Sequence, residues 1–131
     1  MRPFLDTNIL VAAVTDDTDR SSVAVTVLNR ADEPYTSILC LMELRSVLSK
    51  KKGFERDRVD RIEARIASRT TVTFPDASDI IAANDLQSET LLYPMDALVL
   101  AAADASETEL VSFDTELVEH GALTPSVYLA E

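Results

Sequence analysis

The chain has 131 residues with one cysteine, one histidine, no tryptophan and a formal net charge of −11. That length supports one hydrophobic core without disulfide or metal staples, so a single domain over residues 1–131 is expected. A lone cysteine excludes a disulfide framework and a thiolate zinc site, and Cys40, between Leu39 and Leu41, reads as a buried thiol in a reducing compartment.

In chain order, Pro3 to Leu5 is a short apolar run stopped by Asp6, the pattern of a central buried strand with a carboxylate at its exit. Ala12 to Asp19 read as helix passing into a polar loop, and Arg20 to Arg30 as a helix with Val23, Val27 and Leu28 on one face. Tyr35 to Ile38 is a second strand, and Leu39 to Lys52 a helix closed by Gly53. Glu55 to Ser68 is a helix with Val59, Ile62 and Ile66 inward, followed by a β-branched strand from Thr70 to Phe74. Pro75 and Asp76 open a helix to Glu89, and Pro94 precedes another from Asp96 to Ser106. Glu109 to Phe113 is a strand, Asp114 to Glu119 a helical turn, and the tail from Leu123 an edge strand. Strands alternating with helices predict an α/β fold with a parallel sheet covered on both faces.

Four acids occupy positions where chemistry gathers in such folds. Asp6 and Asp114 each end an apolar strand, Asp96 opens an otherwise apolar helix, and Glu43 sits on or beside the inward face of its helix. Open parallel sheets collect ligands beyond the carboxyl ends of their strands, so convergence at one edge is expected. Capping would account for any one of these acids alone. Four carboxylates together repel unless a divalent cation neutralises them, and oxygen-only ligands suit Mg²⁺ or Mn²⁺. Such an ion supports in-line attack on a phosphodiester without a histidine base. His120, beside Gly121, reads as an exposed turn residue instead.

The acidity is uneven. Residues 45–69 carry a charge of +5 and the remainder −16. Within that window Arg58, Arg61, Arg65 and Arg69 fall on one sector of a helical wheel, and Arg45, Lys50, Lys51 and Lys52 extend the basic region, so these residues are expected to contact nucleic-acid phosphates. The chain holds three lysines against 23 acids, which points to a high-salt cytoplasm. No signal-like apolar segment opens the chain, and no stretch approaches the roughly 20 apolar residues of a membrane span. A cytoplasmic protein without a membrane role is therefore expected.

The segments Phe-Leu-Asp6-Thr7-Asn8-Ile-Leu, Met-Glu43-Leu, Pro-Met-Asp96-Ala-Leu-Val-Leu and Leu-Val-Ser112-Phe-Asp114 resemble the acidic motifs of PIN domains. The opening motif and the compact length are most similar to VapC-type toxins of type II toxin–antitoxin systems. The last motif departs from the usual pattern, because Phe113 stands where a polar or basic residue often precedes the final acid. The resemblance implies a three-layer fold with a parallel sheet of four to five strands ordered 3-2-1-4-5. It further implies a Mg²⁺- or Mn²⁺-dependent endoribonuclease, homodimeric and inhibited by a cognate VapB-type antitoxin. Asp6, Glu43, Asp96 and Asp114 would be its catalytic, metal-binding quartet, with Thr7, Asn8 and Ser112 in support. An RNA-maturation nuclease, a catalytically degenerate PIN scaffold and a receiver-like binding module are the alternatives.

Overall fold

Four parallel strands, β1 (Pro3–Leu5), β2 (Tyr35–Ser37), β3 (Thr71–Thr73) and β4 (Glu109–Val111), form a sheet in the order β3-β2-β1-β4. The computed structural model that shows this describes residues 1–16 and 19–131; residues 17 and 18 of the loop expected after Ala12 lie outside it. β1 is central because it can be buried on both faces: Phe4 and Leu5 are completely enclosed. Its register sets Phe4 against Tyr35 on one side and Leu5 against Val111 on the other. Thr36 strengthens the weaker β1–β2 seam, since its buried hydroxyl donates to the Leu5 carbonyl at 2.8 Å. Thr36→Val keeps the shape and loses that bond, so it should cost about 1 kcal/mol in urea unfolding. An unchanged midpoint would show that the bond contributes nothing.

The helices are α1 (Thr7–Val14), α2 (Ser21–Arg30), α3 (Ile38–Ser46), α4 (Arg56–Arg69), α5 (Ala77–Glu89), α6 (Pro94–Ala105), α7 (Thr115–Glu119) and α8 (Pro125–Ala130). Their starts follow local chemistry. Ser37 accepts from the Leu39 N–H to cap α3, Asp76 and Asp79 close a reciprocal capping box on α5, and Pro94 occupies the first turn of α6. Helix α6 is apolar nearly all round, and its run from Ala97 through Ala103 is largely buried against the sheet and α5.

Three sequence expectations change here. The helix expected from Ala12 already starts at Thr7, directly after its cap Asp6, and ends at Val14. The helix expected over Leu39 to Lys52 is α3 followed by a π-helical turn, Val47–Lys51, in which the Lys52 N–H donates to the Val47 carbonyl at 3.0 Å. The tail is not an extended edge strand. Leu123 makes one parallel bridge to Val111, and Thr124 and Pro125 then begin α8, with the Thr124 hydroxyl accepting from the Val127 N–H. The order 3-2-1-4 therefore stands with four strands, and one bridge occupies the fifth position. Among the described residues no helix is long and apolar enough to cross a membrane.

Candidate active site

Because every strand is parallel, every strand exit lies along the same edge of the sheet. The order in which strands are added to the sheet reverses between β1 and β4, and that is where a crevice opens. A cleft of about 360 Å³ there is lined by Asp6, Thr7, Asn8, Val11, Ala12 and Thr15 from the β1–α1 segment. Arg20, Glu43, Val47, Lys52, Asp96 and Asp114 complete its walls. The four acids singled out in the sequence thus border one hollow, although they span 108 positions of chain.

Asp6 is the most enclosed of them, at 7 % exposure. One carboxylate oxygen accepts from the Thr7 N–H at 2.8 Å, and the other accepts from the Ser112 hydroxyl at 2.7 Å. The Ser112 oxygen in turn accepts from Asn8 Nδ2 and from the Asp114 N–H, each at 3.0 Å. Asn8 Oδ1 receives the Phe113 N–H at 3.1 Å. Capping and site-building are therefore one act: Asp6 starts α1 and Asp114 starts α7 while a single serine holds both strand exits in register.

The electrostatics show the cost of gathering these groups. Burial raises the Asp6 pKa above the ordinary carboxylate range against the pull of its hydrogen bonds, and the charges of Glu43 and Asp114 add to the rise. Burial also raises Glu43, reinforced by Asp96. Asp96 is pushed up to about 6, by burial first and then by Asp6, Asp114 and Glu116. Directly behind the cleft, burial followed by the charge of Asp6 drives the Cys40 thiol to about 11, so it is inert.

Glu43 is more exposed than the sequence expectation of an inward face: Cys40 and Leu44 are buried, and Glu43 stands at the rim of their stripe with its carboxylate toward the cleft. Glu116 is an acid that sequence reasoning missed. Its Oε1 is buried without a hydrogen-bond partner among the described residues, and its charge reaches Asp96. Its spacing of two from Asp114 was the available signal. Arg20 was missed as a cleft residue as well, because nothing local distinguishes it from a surface charge, and Lys52, expected to extend the basic row, lines the cleft instead.

The expected RNA contacts are dispersed. Arg45 is engaged by Asp60 and Glu63, bracing α3 against α4. Lys50 and Lys51 are exposed on the π-helical turn and do not line the cleft. Arg58, Arg61 and Arg65 border a separate cavity of about 690 Å³, whose apolar floor includes Val14, Leu28, Ile62 and Ile66. It shares helix α1 with the cleft but no residue. Arg58 lies over the Phe54 ring at 3.8 Å, and Arg69 is structural, donating to the Leu28 and Ala31 carbonyls.

Could the acids hold a divalent cation? Among the described residues, no three His, Cys, Asp or Glu side chains are drawn close enough together to grip one as they stand. The donor chemistry nevertheless fits Mg²⁺ or Mn²⁺: all four acids offer oxygen ligands, and the pKa values of Asp6, Glu43 and Asp96 are raised by burial first and by neighbouring carboxylates second. The buried Thr7 hydroxyl lies among them, close enough to Glu43 and Cys40 to interact with both.

The chain matches the PIN domain family model over residues 4–123. It belongs to the PIN domain family. No curated protein sequence matches it. Among solved structures, this PIN domain is similar to Mycobacterium tuberculosis VapC20, a sarcin-ricin-loop-cleaving toxin, at 20 % identity and a TM-score of 0.79, over 92 % of this chain and 96 % of that one. It is similar to Rickettsia felis VapBC2 bound to a promoter DNA fragment, at 21 % identity and a TM-score of 0.72, over 95 % and 96 %. A toxin–antitoxin complex from Klebsiella pneumoniae matches at 23 % identity and a TM-score of 0.72, over 86 % and 87 %. At these identities the structural likeness establishes the PIN fold of VapC toxins.

Proposed function

We propose that this protein is a metal-dependent endoribonuclease and the toxin of a type II toxin–antitoxin pair. It would act in the cytoplasm as a homodimer of single-domain chains, held inactive by a cognate VapB-type antitoxin. PIN-family membership and the VapC-like fold indicate a nuclease. The observation that carries the finer reading is the meeting of Asp6, Glu43, Asp96 and Asp114 at one cleft on the strand-exit edge.

In this reading Asp6, Glu43, Asp96 and Asp114 hold a Mg²⁺ or Mn²⁺ ion, with Thr7 at their side. Bound there, the ion would supply a water of lowered pKa and neutralise charge on phosphoryl oxygens. Ser112 and the Thr7 N–H fix the Asp6 carboxylate, so Asp6 has little freedom to lose when it binds. Asn8 ties α1 to the start of α7 and keeps Asp114 facing the same hollow as Asp6. No histidine lines the cleft, so proton movement falls to carboxylates and water. Lys50, Lys51, Arg58, Arg61 and Arg65 supply a basic outer surface that can draw in RNA from solution, whereas Arg45 is neutralised by Asp60 and Glu63.

Titration with MnCl₂ tests the metal site without reference to turnover. A ligand bound only by the folded state stabilises by about 1.4 kcal/mol at a free concentration of about ten times its Kd, which raises the Tm of a domain this size by about 5 °C. Cleavage of single-stranded RNA should appear with the metal and vanish in EDTA. A flat melting temperature up to millimolar Mn²⁺, together with metal-independent cleavage, would refute the metal-dependent reading.

A further inference from the structure

The cleft holds two cations besides the acidic quartet. Arg20 precedes α2, Lys52 follows the π-helical turn, and both line the hollow that contains the acids. Outside residues 45–69 the chain has only three basic residues, Arg2, Arg20 and Arg30, and one of them stands here. A phosphodiester approaching four carboxylates on a chain of charge −11 is repelled. Positive charge inside the cleft lowers that barrier where attraction from a distant surface cannot.

Arg20 is also held in place. Its guanidinium lies 4.7 Å from the centroid of the Phe113 ring, a cation–π arrangement. The ring is itself anchored: Phe113 packs on the core, its N–H donates to Asn8 Oδ1, and its chain neighbours are Ser112 and Asp114. The frame that fixes Asp6 thus also fixes the platform under Arg20. An arginine already ordered on a ring loses less side-chain freedom on meeting a ligand, and its planar fork suits two oxygens of one phosphate.

We propose that Arg20, posted over the cleft by Phe113, is the clamp that seats an RNA phosphate beside the acids, with Lys52 making a second phosphate contact. Phe113 is then a positioning residue, acting through Arg20. The proposal deepens the ribonuclease reading and rests on it.

The test uses the full chain and two measurements. Binding of a single-stranded 2′-O-methyl RNA oligonucleotide is followed by fluorescence anisotropy over a KCl series, and kcat and KM are measured on the cleavable RNA. Arg20→Ala should weaken binding about tenfold and flatten the slope of log K against log salt by about 0.7, the value for one lost phosphate contact on a single strand. Phe113→Leu should raise KM several-fold with kcat little changed, because the interaction serves ground state and transition state alike. Phe113→Tyr, which restores the ring, should recover wild-type KM, and Arg20→Lys should recover the salt slope but only part of the affinity. Wild-type affinity and slope in Arg20→Ala overturn the clamp while intact cleavage leaves the nuclease reading standing. Arg20-dependent RNA binding by a wild type that cuts no RNA with Mg²⁺ or Mn²⁺ does the reverse. Absence of RNA binding by the wild type overturns both.

Discussion

Replacing Asp96 by Asn should abolish RNA cleavage, by about 10³-fold or more in kcat, and at the same time make the metal-free protein more stable at neutral pH. The first effect follows if Asp96 is a metal ligand, since a loss of that size corresponds to about 4 kcal/mol of transition-state stabilisation. The second follows from its pKa, pushed up to about 6 by burial and neighbouring acids. The folded state binds the Asp96 proton more tightly than the unfolded chain does, so this group lowers stability as pH rises from about 4 to about 6 and leaves a constant penalty above. Two pKa units amount to nearly 3 kcal/mol. Solvent screening at this half-buried group and the lost attraction to the α6 N-terminus leave about 1 kcal/mol, or about 4 °C in Tm. Thermal melts in EDTA at pH 4 and pH 7 check it: the variant should gain only at the higher pH. A loss of stability at pH 7 would make Asp96 a helix-capping residue first and a member of the charged cleft second.

Ser112→Ala should be among the most damaging small changes in the chain, costing about 2 to 3 kcal/mol and about 10 °C in Tm. The hydroxyl is fully buried and serves three partners, Asp6, Asn8 and the Asp114 N–H. Its removal leaves a buried carboxylate and an N–H short of partners, the expensive case for hydrogen bonds. The pH dependence separates this cause from lost packing. The Ser112 bond favours ionised Asp6, so without it the Asp6 pKa climbs further. The deficit should therefore be smaller at acid pH, where the raised Asp6 carboxyl is protonated in the fold, than at pH 7, where it is ionised. Urea unfolding at both pH values provides the comparison, and an equal deficit at the two would assign the loss to the cavity. Cleavage should fall about tenfold to a hundredfold with it, because Asp6 and Asp114 would no longer share a fixed frame.

Much of this site was legible because its acids terminate patterns that are local. Leu5 to Asp6 and Val111 to Asp114 announce strand exits by an apolar run that stops, and parallel topology then brings such exits to one edge. Capping does not exclude a place at the cleft, since the Asp6 carboxylate caps α1 and also lines the hollow. What escaped were features decided by tertiary packing. The π-helical turn after Ser46 leaves no mark in a composition that continues to read as helix, yet it carries Val47 and Lys52 to the cleft. The tail looked extended because Leu123 does pair, but the Thr124-Pro125 dipeptide was the overlooked signal for a helix start. Arg45 read as part of a basic surface, and its acidic partners on α4 become visible only once α3 and α4 are packed.

The bond between Asp6 and Ser112 joins positions 106 residues apart, and the strands behind them are neighbours in the sheet. A chain emerging from the ribosome therefore has no assembled centre until its last strand has been synthesised and has docked against its first. Pairing over such a separation is intrinsically late in folding. On the proposed ribonuclease reading, an unfinished chain would be harmless to the machinery that is making it.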